Sequence, residues 1–594
     1  MKKIIGLGML ALAGVAVVSC ANTNGDTVAV KDIIGLDDKQ EVAKLGEVEL
    51  LFKRNSEVPY ISLTDGVEMM SQVRVANLDD TKYKCKLNKE NDNYVITNES
   101  GAKCTLSARN QTLAFDDFDK FTSIVQEGQK PITILPVKAK DKHLKIVSSE
   151  YKPGKEVVMD LKPYSALDIY ESNGKCYIPL SIYNSALFNI YLGASYAYNG
   201  KEVFFFVGNQ ITDSSFALPI ETELGGRFRK DAIKLSVSKE YVDYYYQSLC
   251  FDFNYDYGLK EKFTSFEDYL TSKGYVDNLH STDPRTLDLT TLYALSNLND
   301  GHTALNEFSN LYPYRDVEVD NSKLNPTKVA LDRDDENYVE KHKNAGIKEG
   351  IEYVGQTAFV TFKEFNKIDP DLLYGTKTDK SDDLDDIEGL GFGAASILND
   401  DANTAKLFNK LYKEVTGDVQ KLITKYIVVD LTANNGGDAD ALLYALSVLI
   451  GDVAIDMHNP LTGGHNHLVY KADINADGVI DDKDKSLSEL GFKIYFLDSK
   501  YSFSSANAMP VLAKLNKPSV VTLGAKTAGG PCAVRANVTP IGSIIYSSSL
   551  NTITKLVNGN YQHIDDGVEA DFALTEDQMV DRAYIANNIE KWVK

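Results

Sequence analysis

Lys425-Tyr-Ile-Val-Val-Asp-Leu-Thr-Ala-Asn-Asn-Gly-Gly437 opens on an unbroken apolar run and closes on a glycine pair. A strand that alternated apolar and polar residues would have one wet face; this one has none, so it predicts a strand buried on both sides. The glycines end it, and residues 439–450 follow as an apolar helix. Strand, glycine turn and helix together make the βα unit of an α/β domain with a parallel sheet.

Working outward, residues 351–365 read as two more strands and residues 385–424 as helical, so the α/β domain spans 345–594. Residues 230–310 form a helical connector, with helices at 239–251, 266–273 and 286–298. Residues 46–225 are β-rich, with short Tyr, Val, Ile and Phe runs broken by Asn-Gly, Asp-Gly and Ser-Gly turns. Two stretches there look alike. Glu49-Leu-Leu-Phe-Lys-Arg-Asn-Ser-Glu-Val-Pro-Tyr-Ile-Ser-Leu63 and Asp168-Ile-Tyr-Glu-Ser-Asn-Gly-Lys-Cys-Tyr-Ile-Pro-Leu-Ser-Ile182 both read as strand, turn, aromatic strand and helix. They are either a duplicated α+β unit or ordinary hairpins.

The chain has 594 residues, more than one hydrophobic core, which predicts two or three domains. Its formal charge of −22 excludes nucleic acid as a partner, since phosphate binding needs clustered Lys and Arg. Lys2 and Lys3 precede a short apolar stretch that ends at Val17-Val18-Ser19-Cys20. The stretch is too short to span a bilayer and reads as a secretory signal, residues 1–19. The small-residue step into a cysteine resembles a bacterial lipobox, with Cys20 as the lipidated residue; plain secretion is the other reading. On the first, residues 20–45 are a polar tether and the protein is lipid-anchored in the cell envelope, periplasmic or surface-exposed. Five cysteines remain, and an exported chain permits Cys85 and Cys104 to pair. No Cys/His cluster has zinc-site spacing.

Four segments carry residue types that acyl transfer needs. They are Leu298-Asn-Asp-Gly-His302-Thr303; Asp430-Leu-Thr-Ala-Asn-Asn-Gly436-Gly437; Tyr501-Ser-Phe-Ser504-Ser505-Ala-Asn507; and Gly524-Ala-Lys-Thr-Ala-Gly-Gly530, followed later by Asp565-Asp566-Gly-Val-Glu-Ala-Asp571. A serine at a strand-to-helix junction is exposed beside helix amides, and a Gly-Gly loop lets backbone N–H groups approach a carbonyl. Each segment alone is commonplace, a turn or a helix cap.

In this order the segments resemble peptidase family S41, the C-terminal-processing (tail-specific) proteases and their tricorn-like relatives, over residues 235–594. The resemblance implies a ClpP/crotonase-like α/β domain and a serine endopeptidase acting on peptides or proteins. It puts the nucleophile at Ser504 and the oxyanion hole at the N–H of Ser505 with that of Gly436 or Gly437. The family's Ser-Lys members carry their lysine where Gly530 stands, and Lys526 is off the motif. The tricorn-like pattern matches His302 as base, its ring oriented by Asp565 or Asp566, with Asp300 as a rival. Three positions depart from the pattern: Asn507 for Glu, Thr432 for Arg and Ala570 for Pro. Residues 303–350 are too few for a PDZ module. The alternatives are a non-catalytic surface-binding lipoprotein that retained the fold, and an adhesin or scaffold.

Asp473-Ile-Asn-Ala-Asp-Gly-Val-Ile-Asp-Asp-Lys-Asp484 matches a twelve-residue calcium loop inserted in the α/β domain. Asp473, Asn475, Asp477, the Val479 carbonyl, Asp481 and Asp484 are the expected ligands, and Gly478 is the turn residue. A single copy implies structural calcium; a solvated acidic loop is the other reading. His465 and His467, just upstream, are expected at the surface.

Overall fold

The computed structural model describes residues 20–21, 25–37, 41–72, 84–123, 142–188, 194–207, 223–230, 236–309, 311–312, 317–366, 368, 370–374, 403–417 and 419–593. The signal segment 1–19 and the helical expectation over 385–402 fall outside these residues.

The strand Tyr426–Asp430 is buried at every position, as its unbroken apolarity predicts. It lies at the centre of a six-stranded sheet ordered Gly350–Val354, Thr357–Thr361, Tyr426–Asp430, Lys493–Asp498, Val521–Gly524 and Phe572–Ala573. All pairings but the first are parallel. The helix Ala439–Ile450 starts where the Asp438 carboxylate accepts the N–H groups of Asp440 and Ala441. It stops at Gly451, φ 95°, a backbone that favours glycine. Its residues 441–450 are all buried, each large one stabilising the fold by about 1.5–3 kcal/mol. The parallel strands end on one side of this sheet, and there the Asp430, Asp498 and Gly524 loops meet.

A second, seven-stranded antiparallel sheet packs beside it. Its path runs Ala304–Glu307, Ile544–Val557, Val453–His458, His465–Ala472 and Leu144–Lys152; Cys532–Val538 and Asn560–His563 also pair with Ile544–Val557. Leu144–Lys152 belongs to the N-terminal region by sequence, yet pairs residue by residue with His465–Ala472. The connector helices Lys239–Asp256, Phe266–Ser272 and Pro284–Ser296 occur where expected.

The N-terminal region holds an eight-stranded and a five-stranded sheet. The look-alike stretches both run strand, turn, strand, helix, and their Tyr60–Ser62 and Lys175–Pro179 strands pair antiparallel. Two expectations are corrected. The segment 20–45 is not a tether throughout: Thr27–Leu36 and Val42–Phe52 are long paired strands, with Ile33 and Ile34 buried. The Val-Ala-Val-Lys-Asp-Ile-Ile run carries a strand pattern that its polar flanks disguise. Nor do Cys85 and Cys104 pair. Neither is in a disulfide, and they lie on strands separated by Asn93–Asn98. Strands two apart are about 10 Å apart, beyond disulfide reach. Among the described residues no helix is long and apolar enough to cross a membrane.

Candidate active site

Ser504 stands at the N-terminus of the helix Ser505–Asn516 with φ 55° and ψ −121°. A side chain in this region costs about 1–3 kcal/mol and persists only when its surroundings enforce it. Here Ser504 N–H donates to Gly529 O (2.8 Å), and the Ser504 carbonyl accepts from Ala508 N–H (2.8 Å). The neighbouring serines are committed to backbone carbonyls: Ser499 to Thr432 O, Ser502 to Leu431 O and Ser505 to Gly437 O, each at 2.7 Å. The Ser504 side chain caps no amide of its helix.

The glycine loop presses on this serine. A Cβ on Gly436, φ 114°, would lie 2.6 Å from Ser504 Cβ, so only glycine fits. The structure also separates the two glycines. Gly436 N–H is taken by the buried Asn434 Oδ1 (2.9 Å), whose Nδ2 holds Phe362 O (3.0 Å). The Gly436 carbonyl and the Asp438 N–H pair with Phe365 (2.8 and 2.7 Å). Among the described residues the amides of Gly437 and Ser505 make no hydrogen bond. Two donors beside a strained serine therefore stay available.

His302 reaches the same place from the connector. The Asp300 carboxylate, buried, accepts His302 N–H (3.0 Å), Tyr257 OH (3.0 Å) and Thr303 Oγ1 (2.6 Å), which folds the turn. A Cβ on Gly301 would meet the Phe503 ring at 2.5 Å. The His302 ring lies 4.6 Å from the Phe503 ring, centroid to centroid, tilted 56°. His302 thus lies against Phe503, the chain neighbour of Ser504, and among the described residues no hydrogen bond joins the His302 and Ser504 side chains.

None of the three carboxylates considered as orienting groups hydrogen-bonds the imidazole. Asp300 holds the backbone. Asp565 accepts Gly530 N–H (3.1 Å) and pairs with Lys262 (3.4 Å). Burial raises its carboxyl above the usual range, and Lys262 pulls it back. Asp566 is exposed. Lys526 is half-exposed and pairs with Glu569 (3.3 Å).

Two departures from the family pattern have local explanations. Asn507, fully buried, donates to Ile564 O (3.2 Å) and accepts from Thr527 Oγ1 (2.7 Å), tying the Ser504 helix to the Asp565 loop as a neutral group. Thr432 donates to Asp430 Oδ1 (2.6 Å), and the guanidinium comes instead from Arg582, whose Nη2 meets Asp430 Oδ2 at 2.6 Å. Nothing in the structure explains Ala570. Sequence reasoning missed Asn434, Arg582, Lys262 and His563; Arg582 and Lys262 are distant in sequence from the motifs they support.

In the loop 473–484, Ala476 (φ 56°) and Gly478 (φ 88°) make the left-handed turns. Asp473 accepts the N–H groups of Asp477 (3.1 Å) and Gly478 (2.7 Å) and the Tyr374 hydroxyl (3.0 Å). Asp484 accepts from Ile474, Asn475 and Asp481 (2.7, 3.2 and 2.8 Å). Asn475 Oδ1 accepts Asp477 N–H (2.8 Å), and Asp477 Oδ1 accepts Val479 N–H (3.0 Å). Asp481 pairs with Lys483 (3.3 Å). The donors are all hard oxygens, as calcium requires. They are turned to the loop's own amides, and among the described residues no three acidic, imidazole or thiol side chains converge as a metal cage. His465, expected at the surface, is buried; it and His467 both bond Asp456 Oδ1 (3.0 Å each).

No curated protein matches the chain significantly. Among solved structures, a lipoprotein from Streptococcus agalactiae is similar at 12% identity and TM-score 0.32, over 60% of this chain and 96% of that one. Mature CPAF complexed with lactacystin is similar at 12% identity and TM-score 0.33, over 57% and 94%. The photosystem II D1 C-terminal processing protease is similar at 16% identity and TM-score 0.22, over 29% and 39%. Residues 392–574, which hold the glycine loop, Ser504 and Asp565, match the model of peptidase family S41.

Proposed function

We propose that the chain is a serine endopeptidase that cleaves peptides or proteins through an acyl-enzyme on Ser504. The observation that carries this is the strained backbone of Ser504 beside two uncommitted amides. His302 takes the hydroxyl proton as Oγ attacks the scissile carbonyl, and the Gly437 and Ser505 N–H groups receive the oxyanion. His302 then protonates the leaving amine, and a water activated by the same imidazole releases the acyl group. The proton transfer requires imidazole and hydroxyl in hydrogen-bond contact when substrate is bound. Retention of a costly backbone at one serine supports this reading over a binding protein, in which that strain would serve nothing.

The test is Ser504→Ala assayed with a fluorophosphonate probe and a peptide mixture. Wild type is expected to label and cleave, and the variant to do neither. Equal labelling or equal cleavage by both would remove the proposal.

The same reading places calcium in the 473–484 loop and a lipid on Cys20, anchoring the protein in a bacterial cell envelope. Calcium in excess over chelator is expected to raise the melting temperature of wild type but not of Asp477→Ala. Radiolabelled palmitate incorporation lost in Cys20→Ser tests the anchor.

A further inference from the structure

The three-residue turn Lys260–Lys262 follows the helix Lys239–Asp256 and is held firmly. Lys260 Nζ donates to the carbonyls of Phe253 (3.2 Å) and Asn254 (2.6 Å) at the end of that helix. Just before the turn, Gly258 N–H donates to Ser548 O (2.9 Å). A Cβ on Gly258 would sit 2.0 Å from Ser549 O, so the backbone lies directly on the strand Ile544–Val557. The turn is a fixed platform.

From it Lys262 reaches two ways. Its ammonium donates to Asn299 O (3.0 Å) and pairs with Asp565 Oδ2 (3.4 Å), with the side chain only 20% exposed. Asn299, φ 54°, opens the turn that carries His302. Asp565 seats its loop on the glycine pair: its Oδ1 accepts Gly530 N–H, and a Cβ on Gly529 would lie 1.9 Å from its carbonyl oxygen. Gly529 O in turn holds Ser504 N–H, and Gly530 abuts Phe503. A second link runs beside the first. Glu261 pairs with His563 Nε2 (2.9 Å), and His563 Nδ1 accepts Asp565 N–H (3.2 Å).

Resting on the peptidase reading, we infer that Lys262 is a positioning residue that ties the His302 turn to the loop seating Ser504, so that base and nucleophile are held as one unit. An ammonium suits this task. Its three donors can satisfy a carbonyl and a carboxylate at once, and neither partner need move when the other does. The two halves of the pair come from segments far apart in sequence, and the His302 ring meets the Ser504 segment through the Phe503 ring. A polar tie supplies the register that ring packing leaves loose.

The tie also sets the charge on Asp565. Around that carboxylate stand Lys262, Glu261 and Tyr257 from the connector, Asp300 from the His302 turn, and His563 and Cys532 from the neighbouring strands. Burial raises Asp565, Lys262 lowers it, and Asp300 raises it again. Loss of Lys262 leaves only raising influences and the weaker help of the Gly530 amide and His563.

The experiment compares the full-length wild type with Lys262→Met and Lys262→Arg. Amide exchange over 298–303 and 563–567 is read alongside kcat, KM and the pH profile on a peptide substrate. Lys262→Met is expected to speed exchange in both segments and to lower kcat by about a hundredfold with KM little changed. The acid limb of its rate profile should move to higher pH, because Asp565 then protonates more readily; Lys262→Arg should restore all three. Asp565→Asn cuts the same tie from its other end and should give the same paired exchange change, which covers a failure of Lys262→Met to fold. Unchanged exchange in either segment, or a loss of kcat with a fixed pH profile that Lys262→Arg does not restore, overturns the inference. A wild type that cleaves nothing defeats the peptidase reading instead, and the exchange result then decides the tie by itself.

Discussion

Arg582 Nη2 and Asp430 Oδ2 lie 2.6 Å apart, both buried, at the foot of the glycine loop. The guanidinium stacks 4.7 Å over the Phe359 ring and also donates to Thr361 Oγ1 (2.8 Å). His342 closes the group, with Nε2 at 2.8 Å from Thr432 Oγ1. The guanidinium that pairs with Asp430 is thus contributed from the helix Arg582–Asn588, some 150 residues further along.

Removing that guanidinium strands a buried carboxylate. Arg582→Met is expected to lower stability by about 3–5 kcal/mol in urea unfolding. The pH dependence follows from the direction of the shift. Burial pushes Asp430 up, but Arg582 and His342 outweigh it and hold the carboxyl below its usual range. Its contribution is therefore present above the unfolded value, about 3.9, and lost as pH falls through the folded one. In Arg582→Met burial is opposed only by the smaller influences of His342 and the Thr432 hydrogen bonds, so acid unfolding should begin at higher pH than in wild type. Melting temperatures measured from neutral to acid pH check this.

Gly436 and Asn434 make separable predictions. Gly436→Ala drives a Cβ into Ser504 and should slow probe labelling at least about a hundredfold. Asn434→Ala removes the clasp on Gly436 N–H and Phe362 O, leaving the fold intact but the glycine loop loose. A smaller loss, about tenfold, is expected there. Labelling rates on the two variants give the order.

Placing an acid at position 507 should harm rather than help. Asn507 is fully buried and donates to Ile564 O, a bond a carboxylate cannot make. Asn507→Glu is expected to destabilise by about 1–3 kcal/mol, more at neutral than at acid pH because the protonated acid is the tolerated form. Chemical unfolding at two pH values measures it.

The thiols are a simpler matter. None of Cys85, Cys104, Cys176, Cys250 and Cys532 is in a disulfide, and four of the five are buried. A reductant should leave the melting temperature unchanged, and a thiol reagent should count these five only after unfolding. Protection of Cys85 and Cys104 against the reagent in the unfolded, unreduced protein would contradict the structure.

The central strand, its glycine loop and the Ser504 helix were legible because each obeys a local rule: continuous apolarity, a required positive φ, a helix start. The His302 turn was legible for the same reason, since Asp300 and Gly301 sit beside it in sequence. Residues 27–45 misled because alternation of small apolar residues in polar surroundings looks like a linker until its partner strand is known. Asp565 was read as a partner of His302 from its place in a motif, whereas its actual partners, Lys262 and the Gly530 amide, lie in segments whose meeting no spacing rule predicts. Lys262 itself sits in an unremarkable charged stretch, Leu259-Lys-Glu-Lys262, and only the fold gives it two partners.

The strand Leu144–Lys152 bears on how the molecule comes apart. It lends the outermost row of backbone hydrogen bonds to a sheet otherwise assembled from residues 304–563. A fragment beginning at residue 230 would expose His465–Ala472 as a naked border, ready to recruit foreign strands and precipitate. Nicking the protein after residue 152 should accordingly leave two pieces that travel together through a sizing column, joined by this strand and by the pairing of Tyr60–Ser62 with Lys175–Pro179.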